Sequence, residues 1–218
     1  MNISEYLPVY DRLTESEKKT IDESVRPVSF DKGQIVYNSE KECLGPLFIV
    51  SGMLRACIYS DEGKEITVYR LLEGDMCLFA ASCMMRSIQF NITIIADKPT
   101  EAYLIPAKVY KKLMENSAPL ANYTNDIMGD RMTNVVWLIE QILWKSFDKR
   151  LAGFLLDEIA LEESTTLKIT HEKIAQHLGS AREVVTRMLK YFQAEGIVKL
   201  GRGTVEIIDE DSLYSMSD

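Results

Sequence analysis

Short apolar runs alternate with turn residues from Val28 to about Pro106, and the pattern then becomes helical. The runs include VSF, IVYN, LFIVSGMLRACIY, EITVYRLL and FNITIIA, and DEGKE between two of them is typical of a hairpin turn. Closely spaced short strands of this kind are typical of an antiparallel barrel or jelly roll. The pattern therefore predicts a β-roll, whose turns contain Gly33, Gly45, Gly52, Gly63 and Gly74.

Helical patterns precede and follow the predicted roll. Residues 4–24 predict one or two short helices, with Thr14 and Glu17 in capping-box spacing. Residues 107–116 predict a short helix, and residues 119–145 predict a helix about 39 Å long. FDKRLAGFLLDEIALEE predicts one more amphipathic helix after a hinge at residues 146–148.

The long helix carries a seam with spacings of three and four residues, as in a coiled coil. A helix of this length is too long for a small roll to cover, so the seam predicts a homodimer. Burial of the seam against the chain's own roll remains the alternative. The predicted interface residues are Tyr123, Ile127, Arg131, Val135, Leu138 and Ile142.

The last part of the chain predicts two helices joined by a tight turn and followed by a hairpin. Thr170 can cap a helix that extends to His177, and Ser180 can cap the next helix. Two strands then follow around the turn at residues 201–203. This order and spacing predict a winged helix-turn-helix, so the fold class is α+β.

The second of these helices has two different faces. Val184, Val185, Met188, Leu189, Tyr191 and Phe192 form the apolar face. The polar residues fall within an arc of about 140°. They are Arg182, Glu183, Thr186, Arg187 and Lys190. An ordinary surface helix, with Glu183 paired to Arg187, explains the same pattern when the helix is considered alone.

Charge is unevenly distributed along the 218 residues, which carry a net charge of −8. Residues 168–208 contain seven basic and four acidic residues, so a mildly basic segment follows an acidic one. DNA binding depends on the local field of the contacting face, and overall acidity does not exclude it. The sequence has no apolar run of about 18 residues and no signal-peptide pattern. We expect a cytoplasmic protein without membrane contact.

The candidate chemistry of the roll is sparse. Cys43, Cys57, Cys77 and Cys83 include no C-x-x-C pair, so they predict buried thiols rather than a zinc or iron–sulfur site. Both histidines of the chain lie beyond residue 170, which leaves the roll without a histidine for a cupin-like metal site. No nucleophile–base pair is visible either. An enzyme is therefore not expected, and no metal cofactor is predicted.

Three segments together resemble the cyclic-AMP receptor / fumarate-nitrate regulator (Crp/Fnr) family of bacterial transcription factors. They are GPLFIVSGMLRACIYSDEGKE with LLEGD in the roll, the long helix, and THEKIAQHLGSAREVVTRMLKYFQAEGIV. The resemblance implies a sensor roll at 1–118, a dimerisation helix at 119–145 and a winged helix-turn-helix at 146–218. It also implies three partners: a second copy, palindromic double-stranded DNA and RNA polymerase.

The resemblance places the DNA-reading residues on the polar face of the second helix. Base reading is expected from Arg182, Glu183 and Arg187, because arginine suits guanine and glutamate suits cytosine. Glu183 also has the spacing to form a capping box with Ser180, so capping remains its alternative role. His171 is open between phosphate contact and plain solvent exposure. Backbone contacts are expected from Thr170, Ser180, Thr186, Lys190 and Arg202.

The roll departs from its cyclic-AMP-binding relatives. Their Gly-Glu pair for the ribose would fall at Leu78-Phe79, and their Arg-Ser/Thr pair for the phosphate would fall at Phe90-Asn91. Arg86-Ser87 lies about four residues too early to serve as that second pair. We therefore expect an effector other than cyclic AMP, namely a small, largely apolar or aromatic ligand between the roll and the long helix. The expected pocket residues are Cys77, Phe79, Cys83, Phe90 and Asn91.

Three alternatives to such an effector site remain open. The same apolar residues are compatible with a packed core that holds no ligand. Cys77 and Cys83 could instead act as a redox sensor. The chain could also be a regulatory module that binds a ligand without binding DNA, although the polar arc of the second helix argues against this.

Overall fold

The computed structural model describes residues 2–38, 44–78 and 91–217, which form two compact units. The first unit contains Met1–Ile58 and Val68–Val136. The second contains Tyr59–Thr67 and Trp137–Asp218. The α+β fold predicted from the sequence is confirmed. None of the helices in the described ranges is long and apolar enough to cross a membrane.

The roll consists of two four-stranded sheets. The strands are β1 (Arg26–Phe30), β2 (Ile35–Tyr37), β3 (Leu47–Ser51), β4 (Leu54–Tyr59), β5 (Glu65–Leu71), β6 (Met76–Cys77), β7 (Thr93–Ala96) and β8 (Thr100–Leu104). Their orders along the two sheets are β1-β8-β3-β6 and β2-β7-β4-β5. Strand β1 pairs antiparallel with β8, β6 pairs antiparallel with β3, and β7 pairs antiparallel with both β2 and β4.

The alternation of side chains along β3 connects two apolar cores. Leu47 and Ile49 belong to the core shared by the two sheets, together with Leu54 and Ile94 of the second sheet. Phe48 between them belongs to the other core. This follows from the two-residue period of a strand, which points successive side chains to opposite faces.

The second core lies against the helices of the first unit. Helix α1 (Glu15–Ser24) begins with the predicted capping box, in which the Thr14 N–H donates to the Glu17 carboxylate at 2.7 Å. Helix α2 (Ala107–Asn116) contributes Tyr110, whose side chain is fully buried. Helix α3 (Ala118–Trp144) contributes Leu120 to the same core.

The second unit contains the helix-turn-helix and its wing. Its elements are α4 (Phe147–Glu162), β9 (Thr166–Leu167), α5 (His171–Leu178), α6 (Arg182–Ala194), β10 (Val198–Gly201), β11 (Thr204–Ile207) and α7 (Glu210–Ser217). Apolar residues of these helices and strands share one core, including Leu155, Ile174, Leu189, Val205 and Leu213. Strands β10 and β11 pair antiparallel as the predicted wing, and β11 also pairs with β9.

The tip of the β4–β5 hairpin, residues 59–67, belongs to this second unit and contacts the end of α5. Ile66 forms a β-bridge with Leu178, and the Thr67 hydroxyl lies 3.0 Å from Nδ1 of His177. The ring of Phe154 lies 5.2 Å from the buried His177 ring. His177 therefore has a packing role, which the sequence pattern did not indicate because its partners are distant along the chain.

Candidate nucleic-acid interface

One face of helix α6 packs against the core of the second unit, and the opposite face is exposed to solvent. Val185, Leu189 and Phe192 are fully buried among the other apolar residues of the second unit. Tyr191, which the apolar pattern assigned to the inner face, is half exposed. The buried stripe of α6 is therefore narrower than the sequence pattern indicated. Packing of this stripe against the core holds the opposite, polar face of the helix in a single orientation.

The polar residues of α6 come together on that outer face. All of them are exposed except Thr186, which is half-buried. They line one shallow open concavity, which we call the reading face: Arg182, Glu183, Thr186, Arg187 and Lys190. The reading face therefore presents two arginines and a lysine, which donate hydrogen bonds, and one carboxylate, which accepts them. Double-stranded DNA has partners for both kinds of group in its phosphate oxygens and base edges.

The start of α6 differs from the prediction. Its N-cap is Ala181, which makes no side-chain capping bond, so the prediction of Ser180 as the cap is wrong. Gly179 ends α5 in the left-handed conformation with φ at 61°, and the Ser180 N–H bonds back to the Ala175 carbonyl. The Gly179 conformation and this hydrogen bond extend the turn by one residue, so that α6 begins one residue later than the pattern indicated.

This shift removes the capping role considered for Glu183. Glu183 now occupies the second position of α6 and is exposed. Within the described part of the chain, its carboxylate makes no ion pair with Arg187. The carboxylate remains available to a partner outside the chain.

The beginning of α5 contacts the reading face through a histidine. Thr170 caps α5 as predicted, since its hydroxyl accepts the Lys173 N–H at 3.1 Å. Nδ1 of the next residue, His171, lies 2.9 Å from the Thr186 hydroxyl. Burial lowers the pKa of His171 below its ordinary value, and the positive charges of Arg182 and Lys190 lower it further.

The wing places one more cation at the surface. Arg202 is exposed in the tight turn between β10 and β11. Lys199, also in the wing, forms an exposed ion pair with Glu206 at 3.2 Å. Arg202 is therefore the wing residue suited to contact with a phosphate group.

The predicted seam of α3 divides between the chain's own interior and its surface. Tyr123 and Ile127 pack against the second core of the first unit. Arg131 is only 8% exposed, and its guanidinium lies 3.3 Å from the Asp75 carboxylate and over the Tyr69 ring. This half of the seam is covered by the chain itself, whereas Ile142 at the other end is exposed.

A different apolar stripe of α3 is exposed. We call it the α3 stripe, and it consists of Met132 (63% exposed), Val136 (43%), Ile139 (48%) and Leu143 (65%). These residues follow one another at spacings of four, three and four, and they fall within an arc of about 60° around the helix axis. The centre of that arc lies about 120° around the axis from the predicted seam. The sequence contains the spacing of the α3 stripe as well as that of the predicted seam. Only the burial of the side chains in the structure shows which of the two is exposed.

Of the predicted effector-pocket residues, two lie within the described part of the chain. Cys77 is fully buried in the core between the sheets, and Asn91 is exposed. Phe79, Cys83 and Phe90 lie outside the described residues, as does Cys43. Across residues 2–38, 44–78 and 91–217, no cluster of histidine, cysteine and carboxylate side chains could hold a metal ion.

Two family models match the chain. A cyclic nucleotide-binding domain matches residues 27–117, and a Crp-like helix-turn-helix domain matches residues 149–216. The first match covers the described strands of the roll except for Arg26, the first residue of β1, and the second covers the reading face and the wing. A domain of the first kind implies a small-molecule effector.

Similar proteins match this chain over most of their length. A Crp/Fnr-family protein from Eubacterium rectale is 53% identical, with a TM-score of 0.96 over 98% of this chain and 99% of that one. The global nitrogen regulator of Synechococcus elongatus is 22% identical over 84% of this chain and 86% of its own. The cAMP-activated regulator CRP of Pasteurella multocida is 23% identical over 81% and 86%.

Proposed function

Since this chain belongs to the Crp/Fnr family of DNA-binding transcription regulators, we propose that it controls transcription as a homodimer on a two-fold symmetric DNA site. The observation that carries the proposal is the reading face of α6. Its charged side chains are all exposed, while the opposite side of the helix is anchored in the core. A helix of this kind fits the major groove, and its N-terminal residues contact base edges.

Within the reading face, we assign base reading to Arg182, Glu183 and Arg187. An arginine can donate two hydrogen bonds to guanine, and a carboxylate can accept one from the amino group of cytosine. Contacts with the DNA backbone fix the position of the protein along the duplex. We assign these contacts to residues around the three base-reading side chains, namely Thr170, Ser180, Thr186, Lys190 and Arg202.

We assign the dimer contact to the α3 stripe. Four large apolar side chains that repeat at heptad spacing on one exposed face are typical of a coiled-coil partner surface. A second copy is the natural occupant, since two identical stripes related by a two-fold axis are self-complementary. The same symmetry brings two copies of α6 into successive major grooves, about 34 Å apart. RNA polymerase is the further partner that this function requires.

The effector assigned to the roll is a small molecule other than cyclic AMP. Leu78 stands where relatives that bind cyclic AMP carry a residue of their ribose pair, and Asn91 stands where the second residue of their phosphate pair falls. Leu78 is buried and apolar. Without these partners, the cyclic phosphate and the ribose would lose their charge-assisted hydrogen bonds. A redox role for Cys77 is less well supported, because a fully buried thiol has little access to oxidants.

The assignment of the effector makes a direct prediction. Titration calorimetry of the full chain with cyclic AMP is expected to give no saturable binding at micromolar concentrations. The cyclic-AMP-activated CRP of Pasteurella multocida serves as the positive control in the same buffer. Micromolar affinity for cyclic AMP in this chain would contradict the assignment.

Salt dependence of DNA binding tests the regulator function itself. Lys190 and Arg202, present twice in a dimer, would neutralise about four phosphates, so log K should fall against log salt with a slope of about −3 to −4. Lys190→Ala should make this slope less steep by about 0.9 for each subunit. The measurement is fluorescence anisotropy on a labelled duplex of mixed sequence.

The matched control for this titration is Lys32→Ala. Lys32 is an exposed lysine in the turn between β1 and β2, far along the chain from the reading face, and its removal should leave the slope unchanged. A wild-type slope near zero would contradict the DNA-binding function. Equal effects of the two lysine substitutions would remove the reading face from the interface.

A further inference from the structure

The bond between His171 and Thr186 links the first helix of the helix-turn-helix to the reading face. Nδ1 of His171 and the Thr186 hydroxyl are 2.9 Å apart, and this contact fixes the ring. Nε2 is then the ring nitrogen that remains for an external acceptor, because each imidazole nitrogen makes one hydrogen bond. His171 is the first residue of α5, the helix that crosses the DNA backbone in helix-turn-helix proteins.

The charges around this ring are mostly positive. From α6, Arg182 and Lys190 act on His171 and disfavour its protonated form. Glu172 and Lys173 are its neighbours on α5 and cancel each other in charge. From α4, Arg150 reaches α5 only at its far end, where it donates to the Leu178 carbonyl at 3.2 Å. In the free protein these surroundings therefore favour the neutral imidazole, because burial and the two cations lower the pKa of His171.

Bound DNA would reverse this balance. Phosphate groups placed over the reading face would screen the positive charges of Arg182 and Lys190 and add negative charge beside the ring. Both changes favour the imidazolium form, since a nearby anion stabilises a cation and a nearby cation does not. An imidazolium whose Nδ1–H donates to Thr186 could donate its Nε2–H to a phosphate oxygen as a charge-assisted hydrogen bond.

We propose that His171 is a DNA-backbone ligand that takes up a proton from solvent when the protein binds DNA. The proposal rests on the DNA-binding function proposed above and adds a pH dependence to it. Because the complex binds one more proton per subunit than the free protein, DNA affinity falls as pH rises. The effect is confined to the window between the lowered pKa of the free protein and the higher pKa of the complex.

Histidine content makes the proposal easy to test. The chain has two histidines, and the other one, His177, is buried beside Phe154 and Thr67. The probe is a labelled duplex of mixed sequence, because a phosphate contact does not depend on the operator. For the full-length protein, we expect the affinity to fall by up to about tenfold per subunit for each pH unit within the window between the two pKa values.

Two substitutions separate the roles of the histidines. His171→Gln keeps a side chain that can hydrogen-bond to Thr186 but does not titrate, so the pH slope should disappear. His177→Gln should keep the slope even if it lowers the stability of the fold. Calorimetry in two buffers of different ionisation enthalpy gives the number of protons taken up directly. That number should fall to near zero in His171→Gln alone.

The outcomes distinguish this proposal from the function on which it rests. Failure to bind the duplex at any pH would contradict the DNA-binding function. Salt-dependent binding without a pH slope, or a slope that persists in His171→Gln, would overturn the role of His171 and leave the DNA-binding function standing. A slope lost only in His177→Gln would overturn it as well.

Discussion

Replacing Ile139 with aspartate is expected to convert the proposed homodimer into monomers. Ile139 lies in the middle of the α3 stripe and is 48% exposed in the single chain. Because about half of the Ile139 side chain is already covered in the single chain, its burial at such an interface contributes about 0.7–1.5 kcal/mol, and the two-fold axis doubles the loss. The same symmetry brings two new carboxylates into an apolar contact. Sedimentation velocity at micromolar protein should therefore show a single monomeric species.

Loss of the dimer should also remove tight DNA binding. A monomer binds one half-site, and it loses the gain in effective concentration that a second linked half-site supplies. This gain is about 10²–10⁴-fold in affinity. We expect a loss of this size on a two-fold symmetric site, measured by anisotropy, while circular dichroism of the variant remains that of a folded protein.

Two further variants locate the interface on α3. Gln141→Asp adds the same charge two residues away, on the side of the helix opposite the stripe, and should leave the dimer intact. Leu138→Asp changes the seam that the sequence pattern predicted, at a half-buried position. Dissociation by Leu138→Asp with a stable Ile139→Asp dimer would assign the contact to that seam instead.

Replacing Arg182 with alanine is expected to relax sequence preference at one guanine of each half-site. Arg182 is the first residue of α6 and is exposed on the reading face. A two-bonded contact from arginine to guanine contributes about 1–3 kcal/mol of discrimination against other bases. Affinity for a selected operator should therefore fall by about tenfold to a hundredfold for each half-site, with a much smaller loss on mixed-sequence DNA.

The operator for this experiment is selected from a randomised duplex library with the wild-type protein. Lys190→Ala is the matched control, since it removes one exposed cation from the same face without removing a base contact. It should weaken specific and mixed-sequence DNA by similar factors. If Arg182→Ala also weakened both by the same factor, the base-reading role of Arg182 would be withdrawn.

Local signals in the sequence predicted the elements that position the reading face. The capping box of Thr14 with Glu17 and the Thr170 cap form as predicted. The hairpin around residues 201–203 also forms. Each of these features depends on side chains and backbone groups within a few residues of one another, so the sequence contains the whole interaction. The two faces of α6 belong with them, because helical periodicity separates its polar and apolar residues.

Tertiary structure decided which of several local patterns is used. The long helix contains two apolar stripes, and the docking of its first half on the roll covers Tyr123 and Ile127 and leaves Ile139 exposed. His177 and Thr67 are 110 residues apart in the sequence, and no local pattern joins them. Burial is a property of the whole fold, because an apolar side chain leaves water only where another element covers it. The sequence alone therefore determined that α3 has apolar faces, and packing determined which of them remains for a partner.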